Sequence, residues 1–208
     1  MIKKYIGLTS GTGLVSKRII FHAKGLIKKL SLDKLSNSKF AICSHAFTRF
    51  GDVVYESHFQ TGVVRRTWAG MIEEYIRESK QGKMYLIEYP AIDETIAIEN
   101  LGKKYDLLDI LKFKTADLKR LVGLTEKNDT DDRLFCSEYV DIIANRAISK
   151  HFDMHSKDIP PCLVQQFALE QGLIIEEVDI KAEYDKIITN QDTDLLELNK
   201  HASTITGI

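Results

Sequence analysis

Three short apolar segments follow one another between residues 40 and 66, separated only by tight connections. They are Phe40–Phe47, Asp52–Phe59 and Thr61–Arg66, with a turn at Arg49–Asp52 between the first two. Short runs of this kind, bounded by turn residues, are typical of β-strands, and connections this short join antiparallel neighbours. The sequence therefore predicts an antiparallel meander in this part of the chain.

Other strands and several helices surround the predicted meander. Tyr5–Thr9, Lys83–Tyr89 and Leu173–Val178 have the composition of strands. Apolar residues recur with helical spacing in Gly13–Leu30, Trp68–Ser79, Ile92–Leu101, Leu107–Val122, Leu134–Lys150 and Leu163–Gln171. This pattern predicts an α+β fold, a small antiparallel sheet with packed helices. For a chain of 208 residues we expect one domain over residues 1–188 and a polar tail over 189–208.

Charge is close to balanced over the whole chain but unevenly placed. The formal net charge of −1 argues against a nucleic-acid-binding protein. Residues 1–40 nevertheless carry nine Lys or Arg and one acid, whereas residues 170–208 carry nine acids and three Lys. Solvated faces are the simplest interpretation of these clusters. The alternative is that the basic first helix contacts an acidic partner or a membrane surface.

The sequence shows no recognisable export or membrane-spanning segment. The first residues include two lysines but no apolar core of a signal peptide, and no run of about 18 apolar residues occurs. The three cysteines, Cys43, Cys136 and Cys162, are too few and odd in number for a disulfide framework. These features predict a reducing, cytoplasmic location.

Cys136 opens the segment with the clearest helical periodicity. At the first turn of a helix, the positive end of the helix dipole and the unpaired backbone N–H groups favour the thiolate, which is the nucleophilic form. The acids of the preceding loop, Asp129, Asp131 and Asp132, oppose the thiolate unless they point into solvent. An inert structural thiol is the alternative, because free cysteines are often buried.

His45 lies in an otherwise apolar strand, and Glu56 and His58 share one face of the next strand. Pairing of the two strands brings Glu56 or His58 beside His45, where either side chain could fix the tautomer of the imidazole. A core histidine and an exposed carboxylate are the structural alternatives. Together with Cys136, these residues predict the Cys-His-polar triad of a thiol hydrolase.

Neither a metal nor a cofactor is predicted. Cys43 and His45 could ligate a metal with His58 or Cys136, but the second short-spaced pair of ligands that zinc sites usually have is absent from the sequence. The segment Ser10-Gly11-Thr12-Gly13 matches neither a P-loop nor a dinucleotide fingerprint, and we expect a turn that opens the cleft. Arg65 and Arg66 could bind an anionic group, or lie at a solvated strand end.

The motifs occur in an order that resembles a known family. They are Ser44-His45 on one strand, Val54-Tyr55-Glu56 on the next, Gly62-Val63-Val64, Tyr105-Asp106, and Phe135-Cys136-Ser137-Glu138 on a helix. This order resembles the circularly permuted papain-like amidases, a branch of the NlpC-type superfamily that also contains lecithin retinol acyltransferase-like enzymes. In the permuted branch the histidine precedes the cysteine, as it does here. The resemblance covers roughly residues 5–178.

The resemblance implies a role for each site residue. Cys136 matches the nucleophile, His45 the general base and Glu56 the third polar residue; His58 is a rival, because a histidine takes that place in the lecithin retinol acyltransferase-like relatives. Ser137, Tyr105 and His58 are the expected substrate-binding residues, with the backbone N–H of Cys136 or Ser137 stabilising the oxyanion.

The resemblance also implies a substrate class. It is a peptide, a cell-wall peptide or a lipid acyl group, cleaved or transferred at an amide, ester or thioester bond. Many relatives have an export signal or membrane anchor that is not visible here; a phage-encoded chain released by lysis would need neither. The alternative function is a catalytically inactive binding protein of the same fold, which uses its basic first helix as the working surface.

Overall fold

A computed structural model describes residues 2–77, 82–105 and 133–190 of the chain. It has a mixed α+β architecture built on a six-stranded antiparallel sheet. The strands are β1 (Lys4–Thr9), β2 (His45–Phe50), β3 (Val53–His58), β4 (Gly62–Thr67), β5 (Met84–Glu88), β6 (Lys104–Tyr105), β7 (Arg133–Leu134) and β8 (Ile175–Glu177). The order in the large sheet is β4-β3-β2-β1-β5-β8. Strands β6 and β7 form a separate parallel pair. The predicted meander corresponds to β2, β3 and β4, which form one half of the large sheet.

Helices pack on both faces of this sheet. They are α1 (Leu14–Lys29), α2 (Asp33–Ser36), α3 (Trp68–Arg77), α4 (Glu94–Glu99), α5 (Cys136–Ile143), α6 (Ala147–Phe152), α7 (Pro161–Glu170) and α8 (180–190), with a 3₁₀ turn at Ser156–Asp158. In the described ranges, no helix is long and apolar enough to cross a bilayer. The helix predicted over Leu107–Val122 lies outside the described residues, as does the predicted tail beyond residue 190.

Side chains alternate between the two faces of the sheet and so divide the core into two layers. One hydrophobic cluster joins Ile6 and Leu8 to residues of α5 and α7. A second cluster joins Phe47 and Met84 to Trp68 of α3 and to residues of α8. Because successive side chains of a strand point to opposite faces, each central strand contributes to both clusters. The sheet is therefore buried on both faces.

The first strand of the meander begins at His45, so the prediction that it begins at Phe40 is wrong. Side chains bind the backbone just before His45: the Tyr85 hydroxyl accepts the N–H of Ala41 at 2.9 Å, and Gln165 donates to the Ala41 carbonyl at 3.1 Å. These contacts replace the hydrogen bonds that the backbone of Ala41 would make with a neighbouring strand. His45 is consequently the first residue of β2, at one end of the sheet.

The single helix predicted over Leu134–Lys150 is also wrong, because the structure has two helices there. Asn145 and Arg146 adopt the left-handed region, with φ of 55° and 58°, and end α5. The buried carboxylate of Asp141 accepts two backbone N–H groups in the first turn of α6, each at 3.0 Å. The apolar spacing continues through the break, so periodicity alone predicted one helix. The other predicted strands and helices within the described ranges are confirmed, with ends that differ by one or two residues.

Gly7 provides a test of the packing at the centre of the sheet. It pairs with Phe47, and a Cβ added at Gly7 would lie 2.0 Å from the Phe47 ring. We expect Gly7→Ala to lower the free energy of unfolding by about 1–3 kcal/mol through overpacking. Gly25→Ala, in the middle of α1 with open space around the added Cβ, should instead raise it by about 1 kcal/mol. Urea denaturation measures both changes, and a Gly7→Ala variant as stable as the wild type would contradict this view of the core.

Candidate active site

A cavity of about 410 Å³ lies at the end of the sheet where β1 ends and β2 begins. His45, Glu56, His58 and Tyr105, all predicted as site residues, line this cavity. His45 is the first residue of β2, Glu56 and His58 lie at the end of β3, and Tyr105 is the last residue of β6. The antiparallel pairing of β2 with β3 brings the start of one strand and the end of the other to the same edge of the sheet. The fold therefore gathers these four predicted residues around one space.

Of the two candidate partners of His45, Glu56 makes the contact. The pairing of β2 with β3 sets Phe47 opposite Glu56, which places Glu56 diagonally across from His45 on the same face. The Nε2 atom of His45 lies 2.8 Å from Oε2 of Glu56. His58 lines the same cavity but is half-buried, and its Nδ1 accepts the N–H of Gln60 at 3.4 Å.

Glu56 is a buried carboxylate held between two cationic side chains. It is 2% exposed, and its second oxygen, Oε1, lies 2.7 Å from a terminal nitrogen of Arg66. Arg66 also pairs with Glu74 of α3. Burial by itself would raise the pKa of Glu56, but the hydrogen bond and charge of His45, with the charges of Arg66 and His58, lower it to about 2. Glu56 is therefore ionised at neutral pH.

Cys136 lies close enough to His45 for the two side chains to interact by charge and by hydrogen bonding. Burial opposes the charged form of His45, but Cys136 and then Glu56 outweigh this effect and raise the pKa of His45 to about 10. Because Glu56 holds Nε2, Nδ1 is the ring nitrogen left for Cys136. The imidazole is thus favoured in its protonated form between a carboxylate and a sulfur.

Cys136 is the first residue of α5 and has no exposed surface. It packs in a small cluster with Ile19 of α1 and Phe135, and Tyr105 of β6 packs against this cluster. Ile19 and Tyr105 also line the cavity. Cys136 itself does not line the cavity, so the sulfur lies behind a wall to which Ile19 and Tyr105 contribute.

The first turn of α5 offers backbone N–H groups beside the sulfur. A carboxylate oxygen of Glu138 accepts the N–H of Phe135 at 3.2 Å. The next two N–H groups, those of Cys136 and Ser137, have no acceptor within the helix. The Ser137 side chain is fully buried and donates its hydroxyl proton to the carbonyl of Ile159. A contact of Ser137 with substrate is therefore restricted to its backbone, because the hydroxyl is engaged in the core.

The other two cysteines lie together in the core. Cys43 and Cys162 are fully buried in the cluster that joins the sheet to α7. Burial raises the pKa of both thiols, that of Cys162 to about 12. Cys43 therefore faces away from the site rather than toward it as a ligand. Among the residues that the structure describes, no three His, Cys, Asp or Glu side chains are grouped so as to hold a metal ion.

The segment predicted to open the cleft does line the cavity. All four residues of Ser10–Gly13 contribute to the wall. The segment is held by two hydrogen bonds: Ser44 accepts the N–H of Gly11 at 3.0 Å, and the Ser10 hydroxyl accepts the N–H of Lys83 at 2.8 Å. A Cβ at Gly82 would lie 1.8 Å from the Ser10 carbonyl oxygen, so the two segments touch through their backbones. One wall of the cavity is therefore fixed by the main chain.

Sequence reasoning missed three residues that shape the site. Arg66 was considered only for external anions, although its position two residues beyond Val64, the partner of Glu56, puts it on the face of that carboxylate. Glu74 is the second carboxylate that binds Arg66. Tyr75 of α3 lines the cavity, and burial raises its pKa to about 12, so its hydroxyl keeps its proton.

The pH dependence of stability tests the charge of Glu56. Because folding lowers its pKa from 4.5 to about 2, the carboxylate stabilises the fold above pH 4.5 and loses this effect as pH falls through 2. We expect Glu56→Gln to cost about 3 kcal/mol at pH 7, since the variant leaves the half-buried Arg66 with one partner fewer, and this cost should shrink between pH 5 and pH 2.

Urea denaturation at a series of pH values measures the cost of Glu56→Gln. The exposed pair of Glu177 with Lys83 offers a matched control, because Glu177→Gln should change stability little at any pH. Folding raises the pKa of His45 from 6.5 to about 10, so its contribution is present below pH 6.5 and is lost as pH rises through 10. A cost of Glu56→Gln that is the same at pH 3 and pH 7 would contradict an ionised Glu56.

Neither a protein-family model nor a curated protein sequence matches the chain. The function is therefore argued from the geometry and charges of the residues around the cavity.

Proposed function

We propose that the protein is a cysteine-dependent hydrolase or acyltransferase that acts on an amide, ester or thioester bond through Cys136, His45 and Glu56. The observation that supports this best is the His45 imidazole, whose Nε2 lies 2.8 Å from the Glu56 carboxylate and whose pKa is raised to about 10 by Cys136 and Glu56. A thiol beside an imidazolium is the arrangement that produces a nucleophilic thiolate.

The chemistry runs through one covalent intermediate. The Cys136 sulfur attacks the carbonyl carbon, and an S–C bond forms while the carbonyl π electrons move to oxygen. The N–H groups of Cys136 and Ser137 at the start of α5 stabilise this oxyanion. The intermediate then expels the amine, alcohol or thiol, which takes a proton from the His45 imidazolium. A water molecule, or another acyl acceptor, gives its proton to His45 and attacks the thioester carbonyl. The S–C bond then breaks, the acid or the acyl-transfer product is released, and the sulfur returns as a thiolate beside the His45 imidazolium.

Glu56 and Arg66 act on His45 rather than on the substrate. Glu56 fixes Nε2 and so leaves Nδ1 as the ring nitrogen that can act on Cys136. Arg66 fixes Glu56, and Glu74 fixes Arg66 from α3, outside the meander. The orientation of the base is thus determined by a chain of three ion pairs, and we assign Arg66 a positioning role.

The resemblance to the circularly permuted papain-like amidases agrees with this assignment. An antiparallel sheet, a histidine at the start of a central strand and a cysteine at the start of a later helix support that fold. The cavity has a polar wall at Ser10–Gly13 and aromatic residues at Phe59, Tyr75 and Tyr105. This mixed lining is compatible with each proposed substrate, peptide, cell-wall peptide or lipid acyl group.

Selective alkylation separates a reactive Cys136 from an inert one. With iodoacetamide at pH 7, we expect Cys136 of the folded protein to react at least about tenfold faster than Cys43 and Cys162, whose burial disfavours the thiolate. His45→Ala should abolish the difference, because it removes the cation beside the sulfur. Tyr105→Ala should accelerate the reaction by opening the path from the cavity. Peptide mapping by mass spectrometry measures all three rates.

The alternative of an inactive binding protein predicts a different result in the same experiment. If Cys136 reacts no faster than Cys43 in the wild type and also in Tyr105→Ala, neither the charge of the sulfur nor access to it supports catalysis. That outcome would contradict the proposed function. Circular dichroism of each variant verifies that the protein remains folded.

Trapping of the acyl intermediate tests the proposed reaction directly. Incubation with p-nitrophenyl esters of short and long acyl chains, and with a panel of peptide thioesters, should add one acyl mass to the wild type at Cys136. Cys136→Ala should remain unmodified, and Arg66→Met should acylate about tenfold or more slowly, whereas Arg66→Lys should retain part of the rate. Acylation of Cys136→Ala at the wild-type rate would exclude Cys136 as the nucleophile.

A further inference from the structure

One side of α1 has a composition that the proposed function does not use. At about 100° per residue, Leu14, Lys17, Arg18, Phe21, Lys24 and Lys28 fall within an arc of about 120° on the helix. We call this arc the outer face of α1. The buried residues Ile19, Ala23 and Ile27 are centred on the opposite side. The outer face therefore points away from the core along the whole helix.

The outer face carries four cations and no acid. No acidic residue occurs anywhere in α1, and the next acid along the chain is Asp33. Among the residues that the structure describes, no ion-pair partner is found for Lys17, Arg18, Lys24 or Lys28. Two acids of the described C-terminal region are engaged elsewhere, since Glu177 pairs with Lys83 and Glu183 with Trp68 and Lys186. The described part of the protein thus leaves the charge of the outer face available to an anionic surface.

Two large apolar side chains lie among these cations and are almost completely exposed. Leu14 is 88% exposed at the start of the helix, and Phe21 is 78% exposed at its middle. Both are fixed at the same angular position as the cations, so they point outward with them. Helices that lie in the headgroup region of a membrane typically combine aromatic and aliphatic side chains with Lys and Arg in this way. A nucleic acid would use the cations but would leave Leu14 and Phe21 in water.

We propose that the outer face of α1 docks the protein on a membrane surface that contains anionic phospholipids. The four cations approach the phosphates and carboxylates of the lipid headgroups, and Phe21 and Leu14 enter the boundary between headgroups and acyl chains. The helix lies parallel to the membrane, because its opposite side remains packed on the protein. This inference is independent of the chemistry proposed for Cys136.

Flotation with lipid vesicles tests the docking. Full-length protein is mixed with vesicles of phosphatidylcholine containing 30% phosphatidylserine, or of phosphatidylcholine alone, at 0.1 M NaCl. We expect binding only to the vesicles that contain phosphatidylserine, and its loss at 0.5 M NaCl. Lys17→Ser with Lys24→Ser should weaken binding by about 25-fold, at about fivefold for each cation. Phe21→Ser should weaken it by about tenfold, because the apolar contribution is lost while the charge is unchanged.

Matched controls keep the result specific to this helix. Lys181→Ser with Lys186→Ser removes two exposed cations from α8, and Ile174→Ser removes a side chain that is 74% exposed elsewhere; neither should change binding. The proposal is overturned if the wild type does not float with phosphatidylserine vesicles, or if the α8 variant loses as much binding as the α1 variant. It is also overturned if Phe21→Ser binds as tightly as the wild type, or if a DNA duplex competes with the vesicles at equal charge concentration, since either result indicates charge recognition without lipid insertion.

Discussion

The buried carboxylate of Glu56 is the group to which the other charges of the site are matched. A carboxylate that is 2% exposed is tolerated only when cations and hydrogen bonds replace its hydration, and here His45 and Arg66 bind one oxygen each. The three side chains come from β2, β3 and β4, and they meet because they share one face. A slip of one residue in either pairing would turn one partner to the opposite face and leave Glu56 without it. The register of the meander therefore also determines whether the charges of the site are paired.

This dependence on register explains why part of the site could be predicted from the sequence. Two strands joined by a short turn can pair in few ways, so the contact of His45 with Glu56 or His58 followed from alternation alone. The choice between the two could not be read from spacing, because Glu56 and His58 share the face of His45. The pair of Arg66 with Glu74 was missed because it requires α3 to pack on that face of the sheet, which is a tertiary contact.

The same distinction holds for the fold. The strands and most helices were predictable, because their apolar periodicity is local. The break between α5 and α6 depends on a buried Asp141 that binds the next helix, and the late start of β2 depends on Tyr85 and Gln165 from distant parts of the chain. Such contacts produce no periodic pattern in the sequence. The helix α1 shows a further limit: periodicity indicates which side of it is buried, but only the structure shows that the inner residue Ile19 lines the cavity and that Leu14 and Phe21 of the outer face are exposed.

The distances along the chain between the site residues have a consequence for the order in which the site assembles. His45 and Glu56 are 11 residues apart, and Arg66 and Glu74 are 8 apart, so these contacts close short loops early in folding at low entropic cost. The contact that holds the segment before Cys136, from Ser57 to the Leu134 carbonyl, spans 77 residues. By loop length alone, we expect the segment of Cys136 to join the meander after these local contacts have formed. A partly folded chain would then hold the matched charges of the meander before the proposed nucleophile reaches them.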